Sequence, residues 1–158
     1  MSKLLITNAD IVNEGKRFEA DVLIEDGRIA AVDKDLQARK ADRVIDAAGR
    51  LLIPGMIDDQ VHFREPGLTH KADFASESRA AVAGGITSFM EMPNSNPPTL
   101  DLERLEAKHA RAAEVSRANY SFYLGGSNDN IDAIRAVRVG QCCGGKGFMG
   151  ASTGHMLV

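Results

Sequence analysis

Pro54-Gly-Met-Ile-Asp-Asp-Gln-Val-His-Phe-Arg-Glu-Pro-Gly67 is the stretch on which the reading of this chain turns. Met56–Val61 has the composition of a short strand, entered through the Pro54-Gly55 break and left towards Pro66-Gly67. Side chains alternate across a strand, so a continuous extended run puts Asp58, Gln60, His62 and Arg64 on one face. Four polar groups on one face do not suit a packed core. They suit the open C-terminal mouth of a parallel βα barrel, where such enzymes carry their chemistry. On spacing alone, a solvated edge strand with a charged end is the alternative.

Downstream of this stretch, residues 73–84 have helical spacing (Phe74, Ser78, Ala81, Val82), and Gly84-Gly85 is a stop signal. Residues 86–92 read as a second strand, ended by Pro93-Asn94 and a Pro97-Pro98 loop. A charged amphipathic helix follows over 102–116, a third strand over 119–124 closed by Gly125-Gly126, and a third helix over 130–139. Residues 146–149 open a fourth strand. This alternation predicts parallel βα units. Upstream, residues 4–7 and 11–13 read as brief strands separated by Asn8-Ala9-Asp10. Residues 21–25 and 28–32 form a hairpin about Asp26-Gly27, since both central positions of a type I′ turn need φ > 0. Residues 43–46 and 51–53 are two further strands. The expected fold is α/β: a small β-sandwich segment over 1–53, then the first part of a (β/α)8 barrel over 54–158. Three complete βα units and the start of a fourth fit, against eight in a closed barrel. The chain is therefore expected to be an N-terminal portion, inactive by itself.

Composition narrows the function classes. The 158 residues carry 19 Lys+Arg against 22 Asp+Glu, a net charge of −3, which argues against a nucleic-acid or anionic-membrane surface. Met1-Ser-Lys-Leu-Leu-Ile6 has too short an apolar run for a secretory signal, which needs ~7–15 residues, or a membrane span, which needs ~20. Cys142 and Cys143 are adjacent and read as reduced thiols of a cytoplasmic protein. Gly125-Gly126 and Gly144-Gly145 lack the Lys-Ser/Thr of a phosphate loop and the dinucleotide fingerprint.

The motifs together resemble the amidohydrolase superfamily and, in detail, its dihydroorotases. Residues 54–64 resemble the run Pro-Gly-x-Ile-Asp-x-His-x-His-x-Arg that ends the first barrel strand in that family. Ala83-Gly-Gly-Ile-Thr87 followed by Met92-Pro-Asn94 resembles its second βα unit. Lys146-Gly-Phe-Met-Gly-Ala-Ser-Thr153 resembles the strand bearing a carboxylated lysine. Asp46-Ala-Ala-Gly49 before Leu51-Leu-Ile-Pro-Gly55 resembles the approach from the small sandwich. The resemblance implies His62 as a metal ligand, with Arg64 and Asn94 on the substrate carboxylate. Lys146, if carbamylated, bridges two cations; unmodified, it is a snorkelling or ion-paired lysine. The implied cofactor is zinc, one or two ions. The implied reaction is the interconversion of N-carbamoyl-L-aspartate and dihydroorotate, with the proton-shuttling carboxylate and two further histidines expected beyond Val158. Hydantoinase and allantoinase are the nearest alternatives. The implied partners are the small-molecule substrate and either further copies of the chain or a transcarbamoylase.

One position departs from the family run. Gln60 stands where the family has its first histidine, and an amide oxygen is a poor replacement for imidazole at zinc. Three readings stay open: one metal is kept and the other lost, Gln60 ligates weakly with help from Asp58, or the chain is a metal-free scaffold for a transcarbamoylase. Of the other histidines, His70 reads as a solvated loop residue, His109 as exposed on a charged helix face, and His155 as close to the barrel mouth. In Asn128-Asp-Asn130 the expected role is capping of the next helix.

Overall fold

The computed structural model describes residues 2–150 and 156–158. The chain divides into two compact units, Met1–Pro54 and Gly55–Val158.

The N-terminal unit is a five-stranded mixed sheet of β1 (Lys3–Asn13), β2 (Lys16–Glu25), β3 (Arg28–Asp33), β4 (Arg43–Asp46) and β5 (Leu51–Leu52). The order is β3-β2-β1-β4, and β5 also pairs with β1. The hairpin turn is as expected, with Asp26 at φ 49° and Gly27 at φ 77°. The two brief strands expected over 4–7 and 11–13 are instead one strand interrupted by a bulge between Ile6 and Ala9. Asn8 takes φ 54° there. Its backbone N–H donates to Asp21 Oδ1 at 2.9 Å, and its Nδ2 donates to Asp46 Oδ1 at 2.9 Å. Asx-type bonding satisfies the bulged backbone, so the turn-like Asn-Ala-Asp need not end the strand.

The C-terminal unit runs β6 (Met56–Val61), α1 (Phe74–Ala83), β7 (Ile86–Glu91), α2 (Leu102–Val115), β8 (Asn119–Gly125), α3 (Ile131–Ala136) and β9 (Gly144–Lys146). The four strands are parallel and lie in chain order, β6-β7-β8-β9. This is the expected βα progression. Helix starts are set by side chains: Asp73 accepts from Ser76 N at 2.7 Å, and Asp101 accepts from Arg104 N at 2.8 Å. Phe63, Phe74, Phe89, Leu105, Ala112 and Phe122 form the core between the sheet and the first two helices. Burial of so many rings, with Phe63–Phe89 centroids 4.5 Å apart and Phe74–Phe122 5.4 Å apart, is the main stabilising term of this unit. Among the described residues no helix is long and apolar enough to cross a membrane.

Four local expectations are corrected. The fourth strand is Gly144–Lys146 rather than 146–149, because the side-chain-free Gly144 lies against the Tyr123 ring and pairs with that residue. Phe148 makes only a lone bridge to Leu157. The third helix stops at Ala136. Asn130 precedes it but does not cap it; its side chain accepts from Ser127 N and donates to the carbonyls of Leu100 and Gly125, joining two loops. The single polar face expected from Asp58 to Arg64 is also broken. The register slips between Asp58 and Val61, where Asp58 Oδ1 takes the N–H of Gln60 at 3.1 Å, and Arg64 sits at φ 68°. Strand alternation therefore ends at Val61.

Gly67, at φ 83°, packs against the loop after β7; a Cβ there would lie 1.7 Å from the Asn96 carbonyl oxygen. Gly67→Ala is expected to destabilise the complete gene product by roughly 1–3 kcal/mol from the backbone conformation alone, with a further cost for moving Asn96. Chemical denaturation of the two proteins checks this, and an unchanged midpoint would contradict it.

Candidate active site at the strand ends

The strand order puts the C-terminal ends of β6, β7, β8 and β9 along one edge, the edge at which parallel βα enzymes place their chemistry. His62 and Arg64 follow β6, Asn94 follows β7, and Lys146 ends β9. The ends of β6 and β7 are tied together: Val61 pairs with Glu91, and Met92 N donates to Val61 O at 3.0 Å.

His62 and Asn94 meet directly, with Nδ1 of the imidazole 2.9 Å from Asn94 Oδ1. Since an amide oxygen only accepts, that contact assigns the proton to Nδ1 and leaves Nε2 with its lone pair. Partial desolvation holds the imidazole below its ordinary pKa. The bond to Asn94 opposes this, while the positive charges of Arg64, Lys146 and Lys108 add to it. Asn94 is buried, as are Ser95 and Thr99 of the same loop. The loop is fixed from within by Thr99 N to Pro93 O (2.9 Å) and Ser95 Oγ to Pro97 O (3.0 Å). Lys146 pairs with Gly125, and its Nζ lies 5.2 Å from the centre of the Phe148 ring. Gln60 is exposed.

Just behind this edge lies a feature the sequence reading missed. Glu91 and Lys108, 1% and 3% exposed, form a buried ion pair, and Lys108 Nζ also reaches Met92 O at 3.4 Å. Burial pushes Glu91 up to about 7, opposed first by the Lys108 charge and then by hydrogen bonds from Lys108 and the backbone N–H of Arg64. Burial likewise pulls Lys108 down, against the attraction of Glu91. A signal was present: Lys108 interrupts the stripe Leu105, Lys108, Ala112 at helical spacing, and Glu91 sits two residues beyond Phe89 on the same strand face. A neighbouring carboxylate, Glu65, joins three segments by accepting from Phe74 N at 2.9 Å and Arg111 Nε at 2.7 Å.

The remaining histidines divide. His70 is exposed, as expected. His109, expected on a solvated face, is half-buried: its Nε2 lies 3.0 Å from Gln141 O and its ring packs edge-on to Phe122 at 4.9 Å. The aromatic surface of β8 draws it inward. His155 and residues 151–153 of the Lys146 motif lie outside the described residues. A cavity of about 360 Å³ in the N-terminal unit, lined by Asp10, Glu19, Asp21 and Asp35 among others, contains none of the candidate residues.

Zinc takes about four nitrogen, sulfur or oxygen ligands. Among the described residues no three His, Cys, Asp or Glu side chains converge to hold an ion. His62 fits the requirement, because its other ring nitrogen is already held by a hydrogen-bond partner. Gln60 does not fit it, since its amide oxygen is a poor replacement for an imidazole nitrogen at zinc. Lys146 fits only as a carbamate.

A parallel βα array with polar residues gathered at its C-terminal strand ends defines a βα-type enzyme scaffold. A family model described as Dihydro-orotase-like matches residues 49–130. The chain belongs to the dihydro-orotase-like family. A dihydroorotase of Methanosarcina acetivorans is 39% identical over 159 residues, covering 100% of this chain and 34% of the relative. An allantoinase of Solibacter usitatus is 37% identical, covering 96% of this chain and 33% of the relative. The solved structure of an L-hydantoinase (dihydropyrimidinase) from Arthrobacter aurescens superposes with a TM-score of 0.93 at 33% identity, covering 100% of this chain and 35% of that one. The chain spans about a third of the length of the curated relatives it matches.

Proposed function

We propose that this chain supplies the opening strands and the carboxylate-binding corner of a dihydroorotase, interconverting N-carbamoyl-L-aspartate and dihydroorotate in cytoplasmic pyrimidine biosynthesis. Residues 1–53 form the sandwich segment and 54–158 the first part of a (β/α)8 barrel. The observation that carries this reading is the contact of His62 with Asn94 where the adjacent strands β6 and β7 end, with Arg64 two residues beyond His62. The Arg64 guanidinium offers a planar fork to the substrate carboxylate. The Asn94 oxygen is taken by His62, which leaves its NH₂ group to donate to the same carboxylate.

His62 and a carbamylated Lys146 are the residues that would hold zinc, and the bound metal would supply Lewis acidity and a water of lowered pKa. Hydrolysis of the ring amide also needs a carboxylate to carry the proton. No carboxylate is among the groups whose charge acts on His62, and the 158-residue stretch is inactive by itself in this reading.

The test uses the complete gene product, assayed for cyclisation of N-carbamoyl-L-aspartate and for hydrolysis of dihydroorotate, allantoin and hydantoin, with zinc content and assembly size measured alongside. Dihydroorotate chemistry with bound zinc is the expected result. Faster turnover of allantoin or hydantoin would replace the substrate assignment. Absence of both turnover and zinc, with binding to a transcarbamoylase, would favour the scaffold reading that Gln60 suggests. Turnover of dihydroorotate by the isolated 158-residue chain with added zinc would contradict the inactivity assigned to it.

A further inference from the structure

We infer that the buried Glu91–Lys108 pair is a positioning device for the substrate carboxylate, acting through Arg64 and Asn94 on either side of it. The inference rests on the reading of Arg64 and Asn94 as the carboxylate-binding residues.

Glu91 is the last residue of β7 and pairs with Val61, the last residue of β6. It therefore stands at the point where both candidate binding segments leave the sheet. On the β6 side, the chain turns through Arg64 in the left-handed region, φ 68°, a conformation that a long side chain seldom adopts unless its surroundings impose it. Val61, the register partner of Glu91, lies three residues before Arg64, and the Arg64 charge favours the ionised Glu91 carboxylate. On the β7 side, Lys108 reaches Met92 O as well as the Glu91 carboxylate, two residues before Asn94. One buried pair thus holds the exits of both strands.

A core ion pair is a costly way to join a helix to a strand, because apolar residues of the same volume do so as well or better. Apolar residues, however, cannot donate to the Met92 carbonyl or set an anion at the strand end beside Val61. The pair is accordingly a device for direction, and its loss should be felt in substrate binding even where the fold survives.

Two variants of the complete gene product test this. Glu91→Leu with Lys108→Met replaces the pair by apolar groups, a change that keeps the core filled. It is expected to raise KM for dihydroorotate by roughly 10-fold or more while kcat falls far less. Glu91→Gln keeps the shape and a neutral acceptor, and is expected to raise KM to a smaller extent. Wild-type KM in the folded double variant would overturn the inference. If the double variant does not fold, wild-type KM in Glu91→Gln overturns it equally, and a raised KM supports it. Failure of the wild-type protein to act on dihydroorotate is a separate result, which removes the substrate assignment and is read before any variant is made.

Discussion

Lys108→Met, with Glu91 left in place, is expected to destabilise the complete gene product by roughly 3–5 kcal/mol, the cost of a buried charge stripped of its partner. Glu91 stands near 7 even beside Lys108, and removal of the cation drives it higher. With Lys108 gone, the Arg64 charge still acts on that carboxylate, while Glu65 is a second acid whose charge reaches Lys108 in the wild-type protein. The pH dependence follows in sign. A carboxyl whose pKa is raised by folding binds its proton more tightly in the native state. Native stability is then fullest below the unfolded pKa and is lost as pH rises through the folded one. The deficit of Lys108→Met relative to wild type should therefore be smallest near pH 5 and grow through pH 7 and above. Denaturant titrations at pH 5 and pH 8 measure it, and a deficit larger at pH 5 would mean that Glu91 is not the group responsible.

Arg64→Ala carries the other large effect, a loss of roughly 2–4 kcal/mol of transition-state binding, or about 10²–10³ in kcat/KM for dihydroorotate. The loss should appear mainly in KM. Residue 64 holds φ 68°, a demand that any residue with a Cβ bears about equally, so alanine removes the fork and the charge without changing the backbone. Arg64→Lys separates the fork from the charge. It keeps a comparable backbone demand and the charge but not the bidentate geometry, and should recover only part of the affinity. Steady-state kinetics of the three proteins suffice. Equal KM for all three would remove Arg64 from the site.

Much of the architecture was readable because its signals are local. Asp26-Gly27 specifies a turn by the φ angles it tolerates, and Gly84 closes α1. The strand-helix alternation then leaves a parallel sheet as the economical arrangement. What escaped is long-range. The bulge at Asn8 depends on Asp21 and Asp46, the inward turn of His109 on Phe122, and the burial of Lys108 on a carboxylate 17 residues earlier. Alternation along β6 failed at the register slip between Asp58 and Val61, and Arg64 lies outside the extended region three residues later. At the site, His62 and Asn94 were named separately from the sequence; that they bond to each other, fixing the ring's tautomer, required the fold.

The reading of this site depends on recognition of a carboxylate, and one comparison tests that most directly. Dihydroorotate and dihydrouracil share a ring and a scissile amide and differ by the carboxylate that Arg64 and Asn94 are assigned to hold. The complete gene product should hydrolyse dihydroorotate with kcat/KM at least about 10²-fold above that for dihydrouracil, and Arg64→Ala should erase most of the difference. Equal or faster hydrolysis of dihydrouracil by the wild-type protein would contradict it.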